Sequence, residues 1–293
     1  MKFNVNDIIH PEDDSAIKTL QSLPGFDKFA KYMMARVSEE MMYSLNMGSH
    51  LRLGPKQYPE IYAMLVDICK TLDISSVPEL YLAMDRTPNA CTYGDTRMFI
   101  VINSGLIESV TKEEIKAVIA HECGHIVCRH VLYHGLANLL VGGSALFLPD
   151  IATEAIRLAL FRWTRLSELS ADRVSALALG SKFHVEELLR RFCGAAINIP
   201  DFTVDREEYD RQLEAFERIS RASWSKTMQN LAIMTSSHPL TAVRIIELRK
   251  WVDTPQFGRL VDDLGIAKFC PACGKQLPKE GIVRWCRNCG KPL

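Results

Sequence analysis

The sequence predicts a mostly helical α+β fold with a small antiparallel sheet, followed by a short cysteine-rich tail. Between positions 15 and 70 apolar residues recur at helical spacing, as in Ile61, Leu65 and Ile68, which indicates helices with one buried face. Short apolar or alternating runs between 79 and 102 have the length and composition of strands. Two Cys-x-x-Cys pairs follow residue 269. These observations define the helical part, the sheet and the tail.

The composition is that of a globular chain without bulk charge. The 293 residues include 35 Lys and Arg against 35 Asp and Glu, and 47% are hydrophobic. A chain of this length can bury a substantial core as one large domain with a small appendage. Because the net charge is zero, the body is not expected to bind nucleic acid or anionic lipid by bulk electrostatics.

The nine cysteines indicate free thiols or metal ligands rather than disulfides. Their odd number excludes complete pairing. No apolar stretch of signal-peptide length follows Met1, so a reducing compartment is expected. The predicted location is therefore the cytoplasm, with peripheral membrane association as the alternative.

Residues 131–149 form an uncharged stretch that is almost long enough to span a bilayer. Polar residues occur within it, and Gly142-Gly143 interrupts its middle. We expect a buried helical segment here and no transmembrane span. A hairpin that dips into a membrane surface is the alternative.

Strands are expected at 79–84, 90–93 and 98–102, with a turn at Thr87-Pro88-Asn89 between the first two. The next element has a clear helical start. Thr111 and Glu114 form a capping box, in which each side chain accepts a hydrogen bond from a backbone N–H at the helix N-terminus.

Three further segments follow along the chain. A second long helix is predicted over about 153–179. The mixed charges of 201–226 are typical of a solvated helical face. Residues 253–258 have the composition of a linker into the tail.

The pentapeptide His121-Glu122-Cys123-Gly124-His125 has the pattern HExxH on a predicted helix. Residues i and i+4 lie on one helical face, so both imidazoles can reach one ion. Glu122 stands beside them and can accept a proton from a water bound to that ion. The pattern predicts a catalytic metal centre. The alternative is a helix that carries two histidines without a metal.

A third ligand is available downstream. A catalytic zinc takes three protein ligands and keeps one position open for water. Glu168 can be the third ligand, and Asp172, one helical turn later, can accept the free N–H of a liganding histidine. The alternative is a solvated acidic face balanced by Arg165 and Arg173. Neighbouring residues are apolar or small, which favours a buried metal site because unpaired carboxylates are costly to bury.

These motifs together resemble the zinc metallopeptidases related to HtpX and to the CAAX prenyl protease, peptidase family M48. Beyond HExxH and Glu-x-x-Ala-Asp at 168–172, the matching segments are Pro88-Asn89-Ala90, Phe99-Ile100-Val101, Ser104-Gly105-Leu106, residues 114–120 and Ser237-His238-Pro239 with Arg244-Ile245. The resemblance covers about residues 77–250. It implies a zincin-type (gluzincin) fold with a small antiparallel sheet on the HExxH helix, and a zinc-dependent metalloendopeptidase that hydrolyses peptide bonds of protein substrates.

The resemblance implies roles for individual residues. His121, His125 and Glu168 would hold a catalytic zinc, with Glu122 as general base. His238 is the candidate donor to the oxyanion, and Arg244 would orient nearby groups. For His238 a His-Pro turn at a helix start is the alternative.

An extended peptide is expected to pair with an exposed strand edge near the zinc. The candidate substrate contacts are Asn89, Ala90, Phe99 and Ile100, which would bind by backbone hydrogen bonds.

The family usually has an aliphatic residue where Cys123 stands. A small buried thiol should be tolerated there, and sensitivity to oxidation is the alternative.

The zinc assignment also bears on residues 131–149. A single membrane crossing would separate Glu168 from the histidines, and the charges between 150 and 168 oppose a second span.

His130 and His134 repeat the i, i+4 spacing farther along the helix. We expect them to point to other faces as ordinary polar residues, with a second metal site as the alternative.

Cys270, Cys273, Cys286 and Cys289 form two Cys-x-x-Cys knuckles. Their spacing predicts a structural zinc ribbon, because a tail this short cannot bury a sufficient core. A redox-active pair is the weaker alternative. Residues 266–293 carry six Lys and Arg against one Glu, so the ribbon is basic and an acidic partner is a candidate.

The predicted organisation has three parts. Residues 1–73 are a helical N-terminal part of the peptidase unit, 74–255 the zinc metallopeptidase core and 266–293 the four-cysteine zinc ribbon, with one catalytic and one structural zinc. The alternative function is a non-catalytic zinc-binding adaptor in which the fold and the ribbon bind partners. Glu122 argues against it, because a scaffold that only binds has no need of a general base. Nucleic acid is not expected as a partner.

Overall fold

The computed structural model describes residues 3–26, 28–30, 39–141, 154–194, 204–220, 239–278 and 285–292. The strands are β1 (Leu51–Arg52), β2 (Glu79–Ala83), β3 (Ala90–Tyr93) and β4 (Phe99–Asn103). After a 3-10 turn at Val5–Asp7, the helices are α1 (Pro11–Ser22), α2 (Glu39–Ser49), α3 (Pro59–Thr71), α4 (Ser104–Ser109), α5 (Lys112–Val127), α6 (Val131–Val141), α7 (Glu154–Ala178), α8 (Phe183–Phe192), α9 (Arg206–Ser220), α10 (Thr241–Val252) and α11 (Pro255–Asp263). The prediction of a mostly helical chain with a small sheet is confirmed.

The sheet is mixed, so the prediction of an antiparallel sheet was wrong. Its strand order is β1-β2-β4-β3. The outer pairs β1-β2 and β3-β4 are antiparallel, but β2 and β4 run parallel, with Glu79 opposite Phe99. After β2 the chain first forms β3 at the outer edge of the sheet. Strand β4 then occupies the position between β2 and β3. The apolar run from Phe99 to Ile102, all of it buried, is the pattern of such a central strand.

Helix α5 lies at the centre of the molecule, between the sheet and α7. It starts with the predicted capping box, in which Glu114 Oε2 accepts from Thr111 N at 2.7 Å and Thr111 Oγ1 accepts from Glu114 N at 3.3 Å. Most of its residues are buried. A helix apolar on one face only would leave the other side to water, whereas α5 is covered by neighbours on both sides.

Helices α5 and α7 are in close contact at Gly124. A Cβ atom on Gly124 would lie 2.9 Å from the Cα of Ala171 and 3.1 Å from the Cβ of Val174. Such distances are shorter than van der Waals contact, so only glycine permits this approach. The contact fixes the separation between the histidines of α5 and Glu168 of α7.

Helix α1 and helix α6, which begins the uncharged stretch 131–149, contribute with α7 to a second part of the core. The buried residues of this cluster are Leu20, Phe26, Phe29, Leu136, Ala137, Ile156, Leu160 and Trp163. Helix α6 therefore agrees with the buried helical segment expected from 131 onward, while residues 142–153 lie outside the described parts of the chain. In those described parts, each helix is too short or too polar to span a bilayer.

The linker predicted at 253–258 is instead the start of helix α11. Pro255 occupies its first turn, and Phe257, Leu260 and Val261 are buried, which is the spacing of one helical face. The Phe257 ring packs edge-on against Trp251 at 5.2 Å between centroids. Within the charged stretch 201–226, residues 206–220 form the predicted solvated helix, α9, in which Leu213 is buried and most side chains are exposed. Residues 201–203 and 221–226 lie outside the described parts of the chain.

Substitution of Gly124 by alanine should destabilise the fold. The added methyl group must push α5 and α7 apart, and overpacking of this kind costs about 1–3 kcal/mol. The free energy of unfolding from urea denaturation measures it. Gly258→Ala in α11 is the matched control, since a Cβ there meets no atom within 4 Å, and it should be neutral or stabilising by up to about 1 kcal/mol. Equal effects of the two substitutions would contradict the close contact.

Candidate metal centre

Three buried side chains from α5 and α7 converge on one point. Nε2 of His121 lies 3.3 Å from Glu168 Oε2, and Nε2 of His125 lies 3.4 Å from Glu168 Oε1. Ligands held tetrahedrally at zinc-ligand distances are about 3.4 Å apart. The three residues therefore fit a single zinc ion as a His-His-Glu donor set, and their burial contradicts the alternative of a solvated acidic face.

Asp172 and Arg244 support His121 from behind. Asp172 Oδ1 lies 3.0 Å from Nδ1 of His121. Arg244 donates two hydrogen bonds to the same carboxylate, from Nε at 2.8 Å and from NH2 at 2.7 Å, and its NH1 lies 3.3 Å from Glu168. The proton on Nδ1 of His121 thus has an acceptor, which leaves Nε2 for a metal.

The charges of this cluster set its protonation. Burial raises the pKa of Asp172, but Arg244 and His121 outweigh it and hold that pKa below its ordinary value. Burial lowers the pKa of His121, but Glu168 and Asp172 outweigh it and raise the pKa to about 10. Without a metal ion, His121 therefore carries a second proton, on Nε2, in addition to the one on Nδ1. A metal ion competes with this second proton for Nε2.

Glu122 is held by the sheet. Its Oε2 accepts a hydrogen bond of 2.6 Å from the hydroxyl of Thr92 in β3, and both residues are buried. Thr92 was not among the site residues predicted from the sequence. The strand pattern offered a signal, because Ala90 and Thr92 lie on the same face of β3 and Ala90 was a candidate site residue.

The expected orientation of His130 and His134 was wrong. Helix α5 ends at Val127, and Arg129 adopts a left-handed conformation with φ of 59°. The chain turns back there, so Nδ1 of His130 lies 3.1 Å from Nδ1 of His125. The His134 ring lies 4.6 Å from that of His125 between centroids. A helix continued through 130 would have pointed both rings elsewhere, and a single left-handed residue changed the outcome.

The predicted substrate edge lies on β3 rather than on β4. Phe99 and Ile100 belong to β4, which is paired on both sides, and their side chains are fully buried. They cannot form backbone hydrogen bonds with a peptide. Asn89 and Ala90 instead border a cavity of approximately 170 Å³. The cavity is also lined by His121, Glu122, Glu168 and Arg244 and by the apolar side chains of Leu106, Val118, Leu188 and Phe192. His238 lies outside the described residues.

The four tail cysteines form a second cluster that fits one metal ion. Sγ of Cys270 lies 3.7 Å from Sγ of Cys289, and Sγ of Cys273 lies 3.7 Å from Sγ of Cys286. Tetrahedral thiolates around zinc are about 3.8 Å apart. Both knuckles have the same backbone turn, closed by the amide of the glycine after the second cysteine.

Cys123 within the HExxH motif is a buried thiol. It is completely inaccessible, and its hydrogen bond with Cys69 together with burial raises its pKa. Both effects disfavour the reactive thiolate, in agreement with the expectation that a thiol is tolerated at this position.

Comparisons with known proteins identify similar chains. Residues 55–252 match the family model described as Peptidase family M48. The plastoglobule-localized metallopeptidase 48 of Arabidopsis thaliana is 28% identical over 88% of this chain and 76% of its own length. The protease HtpX homolog 2 of Methanosarcina acetivorans is 24% identical over 69% of this chain and 76% of its own length. The crystal structure of S. mikatae Ste24p aligns with a TM-score of 0.36 and 18% identity, over 63% of this chain and 49% of that chain.

Replacement of Arg244 by methionine should destabilise the metal-free protein. The substitution removes the guanidinium that pairs with the buried carboxylates of Asp172 and Glu168, and breaking a buried ion pair in this way costs about 3–5 kcal/mol. Urea denaturation in the presence of a chelator measures the loss. Lys250→Met on the same helix removes an exposed ion pair with Glu247 and should change stability by less than about 1 kcal/mol. A similar loss in both variants would contradict the role given to Arg244.

Proposed function

Because this chain belongs to peptidase family M48 and is a metallopeptidase, we propose that it is a zinc-dependent endopeptidase that hydrolyses peptide bonds of protein substrates. The observation that carries the proposal is the convergence of His121, His125 and Glu168 at zinc-ligand spacing, with Glu122 beside them. A site that only bound metal would have no use for this additional buried carboxylate next to an open cleft.

Each residue of the site then has a chemical task. A zinc ion held by His121, His125 and Glu168 would act as a Lewis acid and lower the pKa of water toward about 7. Glu122 accepts a proton from the attacking water and delivers it to the leaving amine. Because Thr92 already donates to Oε2 of Glu122, Oε1 is the oxygen available for this transfer.

Substrate binding follows from the sheet. Of the described strands, β3 forms the edge that borders the cavity. An extended peptide can add to this edge through backbone hydrogen bonds, and Asn89 and Ala90 are the proposed contacts. Arg244 is buried at the border of the cavity, and its guanidinium contacts the carboxylates of Asp172 and Glu168, so we assign it to the orientation of these two residues. His238 stays the candidate oxyanion donor from the sequence resemblance.

The cysteine cluster is proposed to hold a second, structural zinc. It is attached to the body, since Arg206 donates to the carbonyl of Ala272 at 3.3 Å and stacks over the Phe183 ring. The basic charge of the ribbon is the sole argument for an acidic partner.

We propose a cytoplasmic location, with peripheral membrane association as the alternative that the name of the Arabidopsis relative supports.

Metal content and activity test the proposal together. We expect two zinc ions per chain in the wild type by elemental analysis. His125→Ala should lose one ion, whereas Glu122→Gln should retain both. Because a general acid-base group contributes about 10²–10⁴-fold, Glu122→Gln should lower kcat for an unfolded protein substrate by at least about 100-fold. Zinc content unchanged by His125→Ala would refute the site, and equal rates for Glu122→Gln and the wild type would refute the mechanism.

The cavity predicts a preference for an apolar residue beside the cut bond. Phe192 is 44% exposed, so Phe192→Ala should fold normally while enlarging the apolar wall. Discrimination between leucine and alanine at that substrate position should fall by roughly 10-fold, the range given by one pocket contact. A peptide library with measured kcat/KM tests this. Met84→Ala, at a side chain 89% exposed and outside the cavity lining, is the control that should leave the preference unchanged.

A further inference from the structure

A chain of buried hydrogen-bonding groups connects His125 to the first turn of α1. Nδ1 of His125 lies 3.1 Å from Nδ1 of His130, and Nε2 of His130 lies 3.0 Å from Oδ2 of Asp13. His130 and Asp13 are 3% and 2% exposed. Asp13 also accepts hydrogen bonds from Trp163 Nε1 at 2.8 Å and from Ser170 Oγ at 2.5 Å. A carboxylate with three donors in the interior is held in one orientation.

We propose that His130 and Asp13 are positioning residues that orient His125 for zinc binding. The inference rests on the zinc site of the proposed function. It adds a residue, Asp13, that lies outside the segment 55–252 matched by the family model.

The nitrogen of His125 that binds the metal determines which group donates and which accepts in each hydrogen bond between His125, His130 and Asp13. Nε2 of His125 faces Glu168, so a metal binds there and the ring proton sits on Nδ1. This proton is donated to Nδ1 of His130, which must therefore be the unprotonated nitrogen of that ring. The proton of His130 is then on Nε2 and is donated to Asp13. A single arrangement of protons satisfies all three groups.

Nδ1 of each of the two proposed zinc histidines is thus connected to a buried aspartate, directly for His121 and through one other residue for His125. His121 donates directly to Asp172, which Arg244 holds. His125 donates to Asp13 through one intervening imidazole. Burial raises the pKa of Asp13, but its hydrogen bonds to His130, Ser170 and Trp163 outweigh it and hold that pKa below the ordinary value. The far end of the chain is therefore a charged acceptor, as it is at Asp172.

The backbone fixes the intervening imidazole. The left-handed residue Arg129 reverses the chain, and the amide of His130 donates to the carbonyl of His125 at 2.8 Å. The His130 ring also packs edge-on against Trp163 at 5.5 Å between centroids. His130 is consequently held from both sides, as a positioning group must be.

A metal shared by His125, His130 and His134 is the competing interpretation, since their nitrogens also lie within 4.8 Å of one another. Such an ion would need Nδ1 of His125 without its proton while Nε2 binds the first ion. The ring would then be an imidazolate between two cations. The described carboxylate at this end, Asp13, already accepts three hydrogen bonds, so the hydrogen-bonded chain is favoured.

Zinc affinity measured by competition with a chelator on the full-length protein tests the proposal. Replacement of such supporting partners costs about 10–100-fold in metal affinity. We expect this loss at the His125 site for His130→Phe and for Asp13→Asn. His130→Asn keeps an acceptor near Nδ1 and should lose less. The visible spectrum of the cobalt-substituted protein should shift in the same order, and zinc in the cysteine cluster should be unaffected.

His134→Phe is the matched control, because the His130 and His134 rings both pack against Trp163. It should bind zinc like the wild type. If His130→Phe fails to fold, as judged by circular dichroism, His130→Asn and Asp13→Asn decide. Wild-type affinity and cobalt spectra in these variants would overturn the proposal, as would a third zinc that His134→Phe loses. A wild type without any zinc that depends on His125 would instead refute the proposed function.

Discussion

The contact between α5 and α7 at Gly124 is the constraint from which the site follows. His121 and His125, two of the proposed ligands, lie on α5 and Glu168 lies on α7, so the distance between the helix axes determines whether three ligand atoms can meet. Glycine permits an approach that any side chain would prevent. Helix packing is rigid on this scale, so this contact holds the three side chains at zinc-ligand spacing.

Buried charge is the second constraint, and paired groups satisfy it around the candidate metal centre. Arg244 pairs with both Glu168 and Asp172 in one cluster, while Asp13 accepts hydrogen bonds at the end of a separate network. A carboxylate without such partners would be costly in this interior. A divalent ion adds positive charge next to Glu168 and Glu122, where the described cluster holds a surplus of carboxylates.

Sequence patterns identified the parts of the site that lie on single helices. HExxH, Glu168 and Asp172 follow from i, i+4 spacing, and the cysteine knuckles follow from their own spacing. Patterns could not give the parallel pairing of β2 with β4, because it depends on how the connection between the two strands crosses the sheet. The continuous apolar run at Phe99 and Ile100, by contrast, did carry the signal of a central strand. Patterns also missed the turn at Arg129, since an arginine with positive φ has no sequence signal comparable to glycine.

The pair formed by Asp172 and Arg244 has a consequence for synthesis of the protein. Arg244 follows Asp172 by 72 positions, and it comes late in the 293-residue chain. His121 therefore lacks its complete support until α10 has left the ribosome and docked. The helix that carries His121 is therefore synthesised well before the arginine that completes the charge pairing beside it.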